Sequence, residues 1–254
     1  MNKIDLYIFS HLDDEFGIFH QLKQSLLSDR ETLIIYTTSS SKDENVNEIR
    51  LQESINSLTM LGATRNQIIL LGKELKVPDL RIIDRIDYIY SYLKDFFEER
   101  RNDHIVVFTH SYEGGHPDHD ALNLIVRDIK YKNNFVFKIL SFPLYHGEDM
   151  PWIFYRVMHF QDKKDKWLSS SIPLSKRFFY IRLLFNYKSQ VKTLIGIAPF
   201  YILKMLFLGE QLLKEEKIFL GKLPHKGRTL YDKRNMYSQL DFQEYVIKKL
   251  QNIS

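Results

Sequence analysis

Through residue 145 the sequence alternates short apolar runs with stretches of helical period, and this constrains the fold more than any other feature. The run Ile4 to Phe9 is followed by a helical pattern that carries Phe16, Phe19, Leu22 and Leu26 on one face. Thr32 to Thr38 predicts a second strand, and the next helix places Ile49, Ile55 and Leu58 before Gly62, a suitable C-cap. Ile68 to Leu71 predicts a third strand, Leu80 to Arg101 a further helix, and His104 to Thr109 a fourth strand rich in β-branched residues. A Gly-Gly loop, a helix through Ala121 to Ile129 and a strand from Phe135 to Phe142 complete the pattern. Strands separated by helices pair in parallel and are covered on both faces. The expected fold is therefore α/β, a Rossmann-like, mostly parallel sheet with helices on both sides and any site at the carboxyl ends of the strands.

After Pro143 the pattern changes, and from Pro151 onward aromatic and basic residues interleave with no visible β-α alternation. The expectation is an α/β core over residues 1–145 and a largely helical C-terminal extension over 146–254 that completes the fold and the substrate pocket. Within the extension Leu194 to Leu208 is nearly all apolar, broken by Pro199 and Lys204, and shorter than the ~20 residues of a spanning helix. Two readings stay open: a buried helix or oligomer contact, or peripheral membrane contact through 176–208, where Lys176, Arg177, Arg182, Lys188 and Lys192 precede the apolar run. A net charge of +4 is a mild bias that selects no partner, and no nucleic acid is expected. The N-terminus shows no secretory pattern, so the expected compartment is cytoplasmic, with or without membrane association. With no cysteine, a bound metal must use histidine nitrogen and carboxylate oxygen.

Four of the 9 histidines fall between His104 and His119. The loop from Thr109 through His110, Glu113, Gly114, Gly115, His116, Pro117, Asp118 and His119 leaves the fourth strand and opens the next helix, where Pro117 suits the first turn. The first strand ends in a matching cluster, Ser10-His11-Leu12-Asp13-Asp14-Glu15. Three acids at a helix start can serve simply as a cap for the macrodipole, but that role leaves His11 unexplained. Two histidines and a carboxylate form a facial set that leaves metal positions open.

These residues resemble the PIG-L/LmbE-like N-acetylglucosaminyl deacetylases, whose motifs read Ala-His-Pro-Asp-Asp-Glu and Gly-His-Pro-Asp-His; here the first stands as Ser-His-Leu-Asp-Asp-Glu and the second is intact at Gly115 to His119. The resemblance covers roughly residues 4 to 145, with a weaker echo at Tyr187-Lys188-Ser189-Gln190. It implies Zn²⁺, or another divalent metal, held by His11, Asp14 and His119, with Asp13 as general base toward a metal-bound water nucleophile. It further implies a protonated His116 that serves the oxyanion and the leaving amine, with Asp118 fixing its tautomer, and Arg50, in an Arg-x-x-Glu helix start, as a contact to the substrate. The implied activity is hydrolysis of the N-acetyl group of a GlcNAc-type glycoside, glycolipid or polysaccharide precursor. Leu12 departs from the family's Pro, and Gly114 stands where some members carry an oxyanion tyrosine, for which Tyr112 is the nearest substitute.

Two other classes compete. A metal-containing protein that binds a sugar or glycolipid without catalysis would need neither the base nor the acid that are both present. A nucleotide-binding Rossmann protein would need Gly-x-Gly-x-x-Gly at the first junction, which instead is crowded with acids that repel a pyrophosphate. His146 follows a strand end and is a further candidate to reach the pocket, whereas His20 and His159 sit among apolar neighbours.

Overall fold

A computed structural model describes the whole chain except residues 40, 42, 152–154, 162–165, 218–223, 225–226 and 254. Five strands run parallel: β1 (Lys3–Phe9), β2 (Glu31–Tyr36), β3 (Ile68–Ile69), β4 (His104–His110) and β5 (Lys138–Phe142). β1 is buried along all but its first residue, as a strand covered on both faces must be. Its alternate side chains feed two cores: Tyr7 and Phe9 enter one layer, and Ile4, Leu6 and Ile8 the other.

The layer on the Tyr7 side holds α1 (Phe19–Leu26) and α2 (Glu44–Leu61), the latter closed by Gly62 at φ 105°, as the C-cap reading requires. A one-turn α3 (Leu71–Glu74) follows β3. On the other side lie α4 (Ile86–Glu99) and α5 (Pro117–Lys132). The predicted helix from Leu80 begins only at Ile82, as one tighter turn, because residues 76–81 form a loop in which Lys76 and Leu80 take positive φ.

The strand order β3-β2-β1-β4-β5 reverses direction between β1 and β4. That switch point opens a crevice at the carboxyl ends of two adjacent strands, the place where such sheets hold ligands. Both histidine-acid clusters begin there.

Among the described residues the extension holds four α-helices, and it also adds strands that periodicity did not reveal. A short hairpin pairs β6 (Tyr145–His146) with β7 (Arg156–Val157), while β8 (Trp167–Ser171) and β9 (Glu210–Glu215) extend the main sheet antiparallel beyond β5. β8, Trp-Leu-Ser-Ser-Ser, is the polar edge of the sheet, while β9, Glu-Gln-Leu-Leu-Lys-Glu, lies between β5 and β8 and is buried only at Gln211, Leu212 and Leu213, so neither carries a two-sided apolar run. Between them α6 (Leu174–Leu184) and α7 (Val191–Phe207) pack on the Tyr7-side core, and α8 (Leu230–Lys233) and α9 (Gln239–Asn252) close the chain.

Candidate active site

β1 and β4 hydrogen-bond in register from Lys3↔His104 to Ile8↔Thr109, so the residues after each strand emerge side by side. His11 and His119, 108 positions apart, meet with Nδ1 3.2 Å from Nε2. Asp14 closes the triangle: its Oδ1 stands 3.2 Å from His119 Nε2 and its Oδ2 3.4 Å from His11 Nδ1. All three side chains are almost fully buried.

Two imidazole nitrogens and a carboxylate oxygen that crowd one another in a dry site need a proton or a cation between them. Without one, Asp14 and Asp79 hold His11 well above the usual histidine range despite its burial. Asp14 goes well below the carboxylate range, since His119, His110 and His11 outweigh the burial that would raise it. Ligands about 2.0–2.2 Å from one small divalent ion stand roughly 3.0–3.5 Å from each other, a spacing met by the two imidazole nitrogens and, with one oxygen toward each ring, by the Asp14 carboxylate. The residues present therefore fit a metal.

The surrounding groups fix this cluster. The Asp118 carboxylate lies 3.0 Å from His11 Nε2 and accepts the amides of Leu80 (2.7 Å) and Ile82 (3.1 Å). This corrects the expected link from Asp118 to the His116 ring. From the second residue of α5 the carboxylate turns toward the 80–82 amides and His11, and it is the Asp118 backbone amide that donates to His116 Nδ1, at 3.2 Å. His116 is thus the N-cap of α5, and in its neutral form it carries the proton on Nε2. Burial and the nearby His11 push His116 down to about 3, so a protonated ring is disfavoured, again unlike the expectation.

Asp13, between His11 and Asp14, adopts φ 129°, a conformation that few non-glycine residues take. Burial and Asp14 raise its carboxyl well above the normal range, with Arg50 and His11 opposing. Leu12 packs into the core at the position of the family's Pro, so apolar contact secures the turn. Glu15 is fully buried and accepts from the Tyr187 hydroxyl at 2.9 Å, with its Oε2 receiving the Asp13 amide at 3.1 Å. Gly115 must be glycine, since a Cβ there would lie 1.9 Å from the Tyr145 carbonyl oxygen.

Two residues join the cluster that sequence reasoning missed or left aside. His110 stacks on His119 with ring centroids 3.9 Å apart and places Nε2 3.1 Å from Asp14. Its place in the four-histidine window was the signal. Asp79, from the 76–81 loop, reaches His11 Nε2 (3.1 Å) and His116 Nε2 (3.4 Å), and no local pattern marked it.

Arg50 and Glu53, one turn apart on α2, grip the tight turn at Lys188–Gln190 that precedes α7. Arg50 donates to the Gln190 side chain, and Glu53 accepts from Ser189 N (2.9 Å) and Oγ (2.6 Å). The Arg-x-x-Glu and Ser-Gln echoes are therefore partners, and they set Arg50 where it acts on Asp13 and Asp79. Tyr112 packs toward α4 and α5 beside Asp120, away from the cluster; Tyr145 instead lies with its ring 5.8 Å from His119. His146 is occupied by backbone, with Nε2 3.0 Å from the His159 carbonyl and Nδ1 accepting the Glu148 amide, and it does not enter the cluster.

Residues 6–130 match the family model described as PIG-L: GlcNAc-PI de-N-acetylase. No curated protein matches the sequence. Among solved structures, the chain resembles N,N'-diacetylchitobiose deacetylase from Pyrococcus horikoshii at 17% identity and a TM-score of 0.59, with 85% of this chain and 84% of that one covered. A deacetylase of teicoplanin biosynthesis aligns at 16% identity and 0.56, covering 85% and 99%. A zinc-inhibited form of teicoplanin deacetylase aligns at 14% and 0.56, with the same coverage. At these identities the likeness establishes the fold.

Proposed function

We propose, from the match of residues 6–130 to the PIG-L family model and from the geometry of the site, that the protein is a metal-dependent N-deacetylase that hydrolyses the N-acetyl group of a GlcNAc-type sugar. The observation that carries this reading is the triangle of His11 Nδ1, His119 Nε2 and Asp14 at 3.2–3.4 Å, beside a carboxyl, Asp13, that is held above the usual carboxylate range. We assign His11, Asp14 and His119 as ligands, with Asp118 orienting His11 through Nε2. A divalent ion at such a site supplies Lewis acidity and brings the pKa of water from 15.7 to about 7.

The chain's own groups account for the rest. Asp13 takes the proton of the attacking water, and its raised pKa lets the resulting acid pass that proton to the leaving amine. Neutral His116, with Nδ1 committed to the Asp118 amide, offers Nε2–H to the developing oxyanion. A neutral donor does this without placing a second positive charge near the ligands. Arg50, positioned by Gln190, is assigned to sugar hydroxyls. The metal is proposed as zinc or another divalent ion because the donor set is imidazole nitrogen and carboxylate oxygen with no thiolate.

The test combines metal analysis with acetate release from a panel of N-acetylated sugars, with and without chelator. We expect about one metal per chain, activity abolished by chelation, loss of metal in His11→Ala, and loss of turnover with metal retained in Asp13→Ala. Undiminished acetate release in Asp13→Ala, or metal retention by a triple alanine variant at 11, 14 and 119, would refute the reading.

A further inference from the structure

From Lys166 to Gly209 the chain holds seven lysines and arginines and no aspartate or glutamate, although 32 of its 254 residues are acidic. This stretch contains α6 and α7, which pack antiparallel: Arg177 near the start of α6 donates to the Leu206 carbonyl at the end of α7. On α6, Leu174, Phe178 and Phe185 recur at one- and two-turn spacing and are each more than half exposed. On α7, Val191, Ile195 (69% exposed), Leu203 and Phe207 (77%) recur in the same way, each at least half exposed.

The opposite side of α7 is core. Ile197, Tyr201 and Met205 are buried, and Tyr201 meets Phe16 edge-on at 5.9 Å. Lys188–Phe207 is long and apolar enough to cross a membrane by length and composition. Crossing would strip these side chains from the core, so the geometry favours a helix that lies on a surface. An apolar groove of about 400 Å³ between Val157 and Phe207 continues the same face. Exposed apolar surface of this extent on a packed protein marks an interaction site.

The occupant is set by charge. Lys166, Arg182, Lys188 and Lys192 are exposed around the stripes. A second copy docked face to face would bring these cations against their own equivalents, with no acid from either stretch to offset them. We propose that the α6–α7 face docks on an anionic lipid bilayer, with the apolar stripes at the boundary between headgroups and acyl chains and the cations among the phosphates. The contact is independent of the deacetylase reading. α7 follows directly on Gln190, which holds Arg50 beside Asp13, so a docked α7 would set the site next to the bilayer.

Flotation of the full chain with phosphatidylcholine vesicles, with and without about 30% phosphatidylglycerol, tests the docking. The wild type should float with the anionic vesicles and bind neutral ones at least ~10-fold less, with binding suppressed at about 0.5 M salt. The double variant Ile195→Asp/Phe207→Asp should weaken binding by about 100-fold or more, and Arg182→Glu/Lys192→Glu by at least ~25-fold. Acetate release from a soluble sugar should be unchanged in the first pair. No flotation, flotation indifferent to either pair, or a solution dimer that the aspartates disperse would overturn the proposal. Lost flotation with intact acetate release sinks the docking alone, and the reverse pattern sinks the deacetylase reading alone.

Discussion

Replacing Asp118 should uncouple two tasks that one carboxylate performs. In Asp118→Ala the amides of Leu80 and Ile82 lose their acceptor, and His11 Nε2 loses the buried one of its two carboxylate partners, with the more exposed Asp79 left at 3.1 Å. An unpaired buried amide costs about 1–3 kcal/mol, giving about 2–6 kcal/mol for the pair. Leu80 is only half-buried and its amide can reach water, which puts the expected loss near 2–4 kcal/mol. For a chain of this size that lowers Tm by roughly 4–16 °C. Loss of the group that orients a metal-ligating histidine weakens metal affinity about 10–100-fold. Asp118→Asn keeps one oxygen acceptor and should recover about half of the lost stability, yet its amide cannot supply the charge that steadies His11–H. Urea unfolding and competition against a metal-binding dye measure the two quantities. Wild-type metal affinity in both variants would refute the assignment of Asp118 to His11.

Further outcomes follow from the same geometry. Asp13→Gly should relieve the φ of 129°, raising stability by about 1 kcal/mol while abolishing acetate release, measured by thermal melts and turnover. Burial pushes Glu113 up to about 8 against the pull of the Leu144 and Tyr145 amides. Its contribution to stability is thus fully present below the unfolded value of 4.5 and is lost as pH rises through about 8. Glu113→Gln keeps the acceptors and should therefore gain on the wild type as pH goes from 5 to 8, by at most about 1.4 kcal/mol per pH unit; a flat difference in urea unfolding would contradict this. Gln190→Ala should raise KM more than it lowers kcat, because it frees Arg50 without touching Asp13 or His116. Tyr187→Phe removes one of the hydroxyl donors to buried Glu15 and should cost about 1 kcal/mol by urea unfolding.

The fold was legible where the chain is buried on both faces. Ile4 to Phe9 and Ile105 to Phe108 are almost wholly apolar, with Asp5 their one charged residue, because they lie between two helical layers. The site was legible for a related reason, since both clusters are contiguous in sequence and sit at strand ends. Asp79 escaped notice because its neighbours Lys76 to Arg81 form an irregular loop held by Asp118, which accepts the Leu80 amide, and by Ser39, which donates to the Val77 carbonyl, partners that no local spacing indicates. The role of Asp118 was misjudged because proximity in sequence to His116 favoured the wrong ring, while helix geometry turned the carboxylate toward residues 36 and 38 positions earlier. β8 was missed because an edge strand carries the composition of surface, and β9 because only its middle, Gln211 to Leu213, is buried while both ends are charged.

The adjacency of β1 and β4 also bears on how the protein matures. Residue 14 leaves the ribosome more than a hundred positions before residue 119, and β2 and β3 intervene in the chain but not in the gap between the two strands. A nascent chain that has paired β1 with β2 therefore owns half of a coordination sphere and no means to close it until the fourth strand slots in on the other side. Capture of the ion would then report the moment at which the sheet's two halves join, making metal uptake a spectroscopic clock for that step of folding.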